Sequence, residues 1–293
     1  MRRVTRLFQD PARVAASAFL RREVASRMHE RLALVRIAAQ DVLDAGCGEG
    51  ADLALLQQRF PAARVLGVDG APAMLAMARA QQTAAQSALG RLVGKWLPSR
   101  AAGADILCAD FATLPLAANA LDVVWSNLAL HWHPQPDRVF AEWRRVLRLN
   151  GLLMFSCFGP DTFKQLRSAL VAVGLDQAVL PFVDMHDFGD MLVEAGFATP
   201  VMDMETITVT YPSVSALLAD LRAWGGNPLR TRMRGLLGRK AGAQVRAALE
   251  QTRRPDGTLP LTFEVIYGHA FRPQARLTAS GEAIIRFEPP PKR

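Results

Sequence analysis

A glycine-rich turn, Asp44-Ala45-Gly46-Cys47-Gly48-Glu49-Gly50, stands between a short apolar strand at 41–45 and a helix at 51–60. Nothing else in the chain constrains the fold so tightly. Glycines let the backbone turn sharply and come close to a ligand. The helix N-terminus that follows offers unpaired N–H groups to an anion. The strand–helix pattern then recurs, with strands at 64–69, 105–109, 121–126 and 152–158 and helices at 72–82 and 137–147. Pro72 suits a first helical turn. Such alternation predicts parallel strands joined by crossover helices. Right-handed crossovers place a ligand site at the carboxyl ends of the strands.

The remainder changes character. Helices are predicted at 162–173 and 188–196, and strands at 206–211 and 261–271, with a helical, basic stretch between those two strands. The expected fold is therefore Rossmann-like α/β: a mostly parallel seven-stranded sheet whose last strand is antiparallel, with helical cap insertions. Residues 1–40 read as an N-terminal helical segment, with a helix from Ala12 to Ala39. Residues 41–158 read as the ligand-binding core. Residues 159–293 complete the sheet around a helical insertion at about 213–256. The stretch 86–104, with Gly90, Gly94, Pro98 and Gly103, reads as a variable insertion.

Acids fall at the strand ends where the site is expected. Gly46, Gly48 and Ala51 also satisfy the relaxed dinucleotide fingerprint, in which Asp69, ending the second strand, accepts ribose hydroxyls. Two features point instead to S-adenosylmethionine. Asp44 lies just before the turn, where a carboxylate suits a cationic amine. Asp110-Phe111 follows the third strand, where the acid can accept an adenine amino group while the ring packs on the base. A nicotinamide enzyme has no particular need of either.

Composition narrows the setting. Half of the 293 residues are apolar, enough for a substantial core. The three cysteines, Cys47, Cys108 and Cys157, show no paired spacing, so neither a disulfide framework nor a metal site is expected. No apolar run reaches spanning length, and a cytoplasmic protein off the membrane is expected. The Arg-rich start (Arg2, Arg3, Arg6, Arg13) reads as helix rather than targeting peptide, since Asp10 and Glu23 interrupt it. The net charge of +8 is concentrated: residues 222–254 hold nine basic residues against Glu250 alone. That stretch is either a solvated helical face or a docking patch for an acidic partner.

Asp44 to Gly50, Asp69, Asp110 and Leu121 to Trp125 resemble the class I S-adenosylmethionine-dependent methyltransferases. Ser126-Asn127-Leu128-Ala129-Leu130-His131-Trp132, Ser215 through Gly225, and Leu259 through Phe263 onward resemble the BioC family, the malonyl-acyl carrier protein O-methyltransferases of biotin synthesis. The resemblance implies a class I fold and S-adenosylmethionine held by Asp44, Gly46, Gly48, Gly50, Asp69, Asp110, Phe111 and Asn127. It also implies an acidic acyl carrier protein as partner, which the 222–254 stretch would suit. Two features depart from the family: Phe19 where the N-terminal helix usually offers a tyrosine, and the longer insertion at 86–104. Phe158 to Thr162 and Met185 to Gly189 are similar also to a mitochondrial complex I assembly factor of the same fold, a protein arginine hydroxylase.

Malonyl carboxylate is already ionised near neutral pH, so its methylation calls for positioning and exclusion of water rather than a general base. No catalytic acid or base is singled out. Asn127, His131 and Trp132 follow the fourth strand, where an acceptor should sit; Trp132 can wall the pocket and His131 can donate to a carbonyl or carboxylate. Lys164 and Arg167, near one helical turn apart, either orient that carboxylate or form a solvated face. Another small-molecule or nucleic-acid methyltransferase is the remaining alternative. Ser126-Asn127-Leu128-Ala129 lacks the Asn/Asp-Pro-Pro-Tyr/Phe pattern of base-amine methylation, so a nucleic-acid substrate is not expected.

Overall fold

A computed structural model describes residues 2–10, 14, 18–93, 103–175, 179–223 and 238–274. The elements run α1 (Arg2–Leu7), α2 (Ala18–Ala33), β1 (Asp41–Ala45), α3 (Ala51–Arg59), β2 (Arg64–Asp69), α4 (Pro72–Val93), β3 (Asp105–Cys108) and β4 (Leu121–Ser126). After a short 3-10 turn at Leu130–Trp132 come α5 (Pro136–Val146), β5 (Leu147–Phe158), α6 (Lys164–Val171), α7 (Met185–Glu194), β6 (Ala198–Tyr211), α8 (Val214–Ala223), α9 (Arg239–Glu250) and β7 (Leu259–Phe271). The seven strands form one sheet in the order β3-β2-β1-β4-β5-β7-β6. The first five are mutually parallel, and β7 runs antiparallel to both β5 and β6.

Successive strand residues point to opposite faces, and in this sheet both are apolar. Val42, Val123 and Leu152 join a core with Leu20, Val24, Met28 and Leu32 of α2 and Leu53 and Leu56 of α3. Their neighbours Leu43, Val124 and Leu153 join a second core with Val139, Phe140 and Trp143 of α5 and Phe188 and Leu192 of α7. Each such fully buried aliphatic or aromatic side chain contributes roughly 1.5–3 kcal/mol. At the amino ends of the strands, Asp122 accepts the backbone N–H groups of Gln40 (2.7 Å) and Asp41 (2.9 Å). Arg148 bridges Asp122 and Asp41, tying β1, β4 and β5 into register. The opposite, carboxyl ends are thereby fixed relative to one another.

Several boundaries differ from those predicted. Helix α4 continues to Val93 instead of stopping near Gln82, because Thr83 to Leu89 contains several good helix formers and no proline. The first part of the expected insertion is therefore helix, and 94–102 lies outside the described residues. The N-terminal helix is not described as one piece: α1 and α2 are distinct, and α2 ends at Ala33 rather than Ala39. Strand β6 begins at Ala198, eight residues before the predicted start, since it pairs with β7 back to Phe271. Of the basic stretch, Arg230, Arg232 and Arg234 lie outside the described residues.

Candidate active site

A cavity of about 290 Å³ opens at the carboxyl ends of the parallel strands. Gly46, Gly48 and Glu49 border it from the glycine turn, Asp69 from β2, Asp110 and Phe111 from beyond β3, and Asn127, His131 and Trp132 from beyond β4. The turn is held by Gly46 N–H and Cys47 N–H, both donating to the Val68 carbonyl (2.8 and 3.0 Å). Gly46 has φ +83°, and a side chain there would run into the Ala129 methyl group. Gly48, at φ +52°, has nothing within 4 Å of where a Cβ would stand, so its backbone faces open space. Gly50 does not border the cavity; it caps α3 in the left-handed conformation.

Asp69 accepts from Gly48 N–H (3.0 Å) and Ala71 N–H (2.7 Å), which fixes its carboxylate across the turn. Asp110 accepts from Ala112 N–H at 3.0 Å. Phe111 is buried, with its carbonyl accepting from the Trp143 indole (3.1 Å) and its ring against those of Trp143 and His133. Asn127 is held on both sides: its amide donates to the Arg21 carbonyl (3.0 Å) and its oxygen accepts from Ser156 Oγ (3.0 Å).

Negative charge accumulates beside the turn. Asp44, Glu49 and Asp52 are buried. Burial, with Asp52, Asp69 and Glu49 nearby, pushes the Asp44 carboxyl well above the usual carboxylate range. Its Oδ2 is buried without a hydrogen-bond partner, although Asp44 is not itself in the cavity lining. Burial also pushes Asp52 up to about 6, against the lowering effect of the Trp125 indole that donates to it at 2.9 Å. Arg21 pairs with Glu49 at 2.9 Å. An unsatisfied buried carboxylate beside other acids favours a cationic ligand group, and the open backbone at Gly48 leaves room for it to approach.

Beyond the turn the wall is aromatic. The His131 ring lies against Phe158 (4.7 Å between centroids), Trp132 (5.0 Å) and Phe182 (5.8 Å). Burial lowers its pKa to about 3, so the imidazole is neutral. Both ring nitrogens are buried without a partner, leaving one donor and one acceptor unspent. Phe8 stands edge-on to Trp132 at 5.3 Å, and Val4, Thr5 and Phe8 close the cavity from the chain's N-terminal end.

Of the residues predicted to hold ligand, the structure brings Gly46, Gly48, Asp69, Asp110, Phe111, Asn127, His131 and Trp132 to one cavity. Lys164 and Arg167 are not in its lining: Lys164 pairs with Asp161 (3.0 Å), and Arg167 donates to the Pro160 carbonyl. The sequence reading missed Val4, Thr5, Phe8, Arg21 and Glu49. Glu49 was legible as part of the glycine turn; the others reach the cavity only through tertiary packing.

The family described as Methyltransferase domain matches residues 43–155. The chain is 47% identical to a malonyl-acyl carrier protein O-methyltransferase of Laribacter hongkongensis, over 96% of this chain and 97% of the relative. Enzymes of the same name from Gallionella capsiferriformans (46% identical; 92% and 90% covered) and a Methylovorus species (47%; 94% and 90%) are similar over nearly the same extent. Among solved structures, the YcgJ protein of Bacillus subtilis superposes with a TM-score of 0.57 at 14% identity, covering 86% of this chain and 99% of that one. The cyclase SpnF does so at 0.50 and 20%, covering 86% and 82%. These structural likenesses show the fold alone, one that hosts more than one chemistry.

Proposed function

Because the chain belongs to the malonyl-acyl carrier protein O-methyltransferase family, we propose that it methylates the free carboxylate of a malonyl group carried on acyl carrier protein, using S-adenosylmethionine. The observation that carries this reading is the pairing, in one cavity, of an acid-rich glycine turn with an aromatic wall around a neutral histidine. S-adenosylmethionine, when bound, supplies an electrophilic methyl group on a cationic sulfonium. Asp44 and its neighbouring acids favour the cationic end of that cofactor, Asp69 its ribose hydroxyls, and Asp110 with Phe111 its adenine. Gly46 and Gly48 let the backbone come close, while Gly50 shapes the turn as the left-handed cap that precedes α3.

The acceptor carboxylate loses its charge as it is methylated. An apolar surround therefore destabilises the separated charges of the ground state more than the charge-dispersed transition state. Trp132, Phe158 and Phe182 provide that surround and exclude water. His131, kept neutral by the same burial, donates an N–H to the acceptor without adding a charge that would quench the nucleophile. Asn127, locked by Ser156 and Arg21, borders both halves of the cavity. Lys164 and Arg167, on α6, stand outside the lining in local pairings with Asp161 and the Pro160 carbonyl, and are given no part in holding the reacting carboxylate.

The carrier protein docks, on this reading, against the basic stretch. Arg239, Lys240 and Arg246 are exposed on α9, with Arg253 and Arg254 beyond it. Helix α8, which leads into the stretch, ends at Ala223, a residue of the cavity lining. A carrier seated there would have its acyl arm near the site. The test is methyl transfer from labelled S-adenosylmethionine to malonyl- and acetyl-acyl carrier protein. Label on the malonyl form alone is expected; equal labelling of both, or of neither while the cofactor binds, would overturn the assignment.

A further inference from the structure

Arg21 is the one arginine or lysine among the described residues that line the cavity. It projects from α2 between Leu20 and Val24, both anchored in the core, so its backbone is firmly placed. Its Nη2 donates to the Val14 carbonyl and to Glu49 Oε1, both at 2.9 Å. Its own carbonyl accepts from Asn127. Arg21 thus stands between the glycine turn on one side and the residue that follows β4 on the other.

We propose that Arg21 is the carboxylate-binding residue of this cavity, sharing or exchanging its pairing with Glu49 for a carboxylate of the bound ligand. The guanidinium is planar, permanently charged and able to take a carboxylate in a two-bond fork. Its partner Glu49 keeps it neutralised and in place until such a ligand arrives. The inference rests on the function proposed above, in which two groups bring a carboxylate here: the methionine end of S-adenosylmethionine and the malonyl acceptor. The chemistry recognised is the same, and the two are separable by experiment.

The variants are Arg21→Gln and Arg21→Lys, each first checked by thermal melting. Calorimetry measures binding of S-adenosylhomocysteine and of 5′-methylthioadenosine, which lacks the amino-acid end. Steady-state kinetics gives KM and kcat for malonyl-acyl carrier protein. If Arg21 holds the cofactor carboxylate, Arg21→Gln weakens S-adenosylhomocysteine about tenfold or more and spares 5′-methylthioadenosine, the worth of one charge-assisted pair. If it holds the acceptor, S-adenosylhomocysteine binding is unchanged and KM for the malonyl substrate rises by a similar factor. Arg21→Lys recovers part of either loss. Unchanged binding and kinetics, or an equal loss of both adenosine ligands, overturns the proposal; the second result marks a merely structural role. A wild-type protein that transfers nothing to malonyl-acyl carrier protein refutes the acceptor assignment instead, and the calorimetric arm still decides for Arg21.

Discussion

Burial sets the protonation of both ends of the site, and in opposite chemical senses. His131 is driven towards its neutral form and Asp52 towards its protonated one, because a charged group of either sign loses hydration when enclosed. With its pKa near 3, His131 contributes no ionisation to a pH–rate profile near neutrality. Replacing it with phenylalanine keeps the aromatic box and removes the N–H. We expect kcat/KM for the malonyl substrate to fall about tenfold to a hundredfold with cofactor affinity retained; undiminished turnover would remove His131 from the acceptor site. For Asp52 the pKa in the fold is raised to about 6 from an ordinary value of 3.8. Its stabilising contribution is therefore full below the lower value and lost as pH rises through the higher one. His29, His133 and His269, each held below the usual imidazole value chiefly by burial, act the other way as pH falls. The informative quantity is thus a difference: the melting temperature of wild type minus that of Asp52→Asn should be larger at about pH 5 than at about pH 7. A difference that is flat or that grows with pH would contradict the raised pKa.

The glycine turn separates a demand of the fold from a demand of the ligand. At Gly46 the positive φ is compounded by the Ala129 methyl group, so Gly46→Ala must move the segment after β4. A loss of about 1–3 kcal/mol in stability, together with cofactor binding, is expected. Gly48 has a positive φ but open space, so Gly48→Ala should cost only about 1–2 kcal/mol from the backbone conformation. Its methyl group would instead enter the cavity, so its main effect should be on cofactor affinity, read by calorimetry beside denaturant melts. The turn was legible in the sequence because only glycines serve at its left-handed positions. The strands were legible because apolar runs of four to seven residues end at turn residues. What escaped were lengths and long-range partners. The continuation of α4 to Val93 needed propensity to outweigh Gly90, and the early start of β6 was set by β7, some sixty residues further on. The approach of Arg21 to Glu49 and of Phe8 to Trp132 follows from packing of the N-terminal helices, which no local spacing encodes.

Across the whole molecule, charge is distributed so that the cavity and the proposed docking face carry opposite signs. Acids gather at the glycine turn, whereas residues 222–254 hold nine basic residues and one acid. On the proposed reading, a small cationic cofactor and an acidic carrier would be drawn to different places. The two attractions should respond differently to salt. Exposed charges on α9 interact with a carrier through water and are screened over a distance of about 10 Å at ~0.1 M salt. The acids of the turn are buried and screened far less. Raising salt from about 0.05 to 0.3 M should lower kcat/KM for malonyl-acyl carrier protein several-fold, mainly through association, while calorimetric affinity for S-adenosylmethionine stays nearly constant. Reversing Arg239, Lys240 and Arg246 together to glutamate should reproduce the loss at low salt and flatten the salt dependence. These side chains are exposed on one helix whose buried anchors are Val245 and Leu249, so the fold should tolerate the change. Retention of wild-type kinetics and salt response by the triple variant would move the docking face elsewhere and leave the basic helix as a solvated surface.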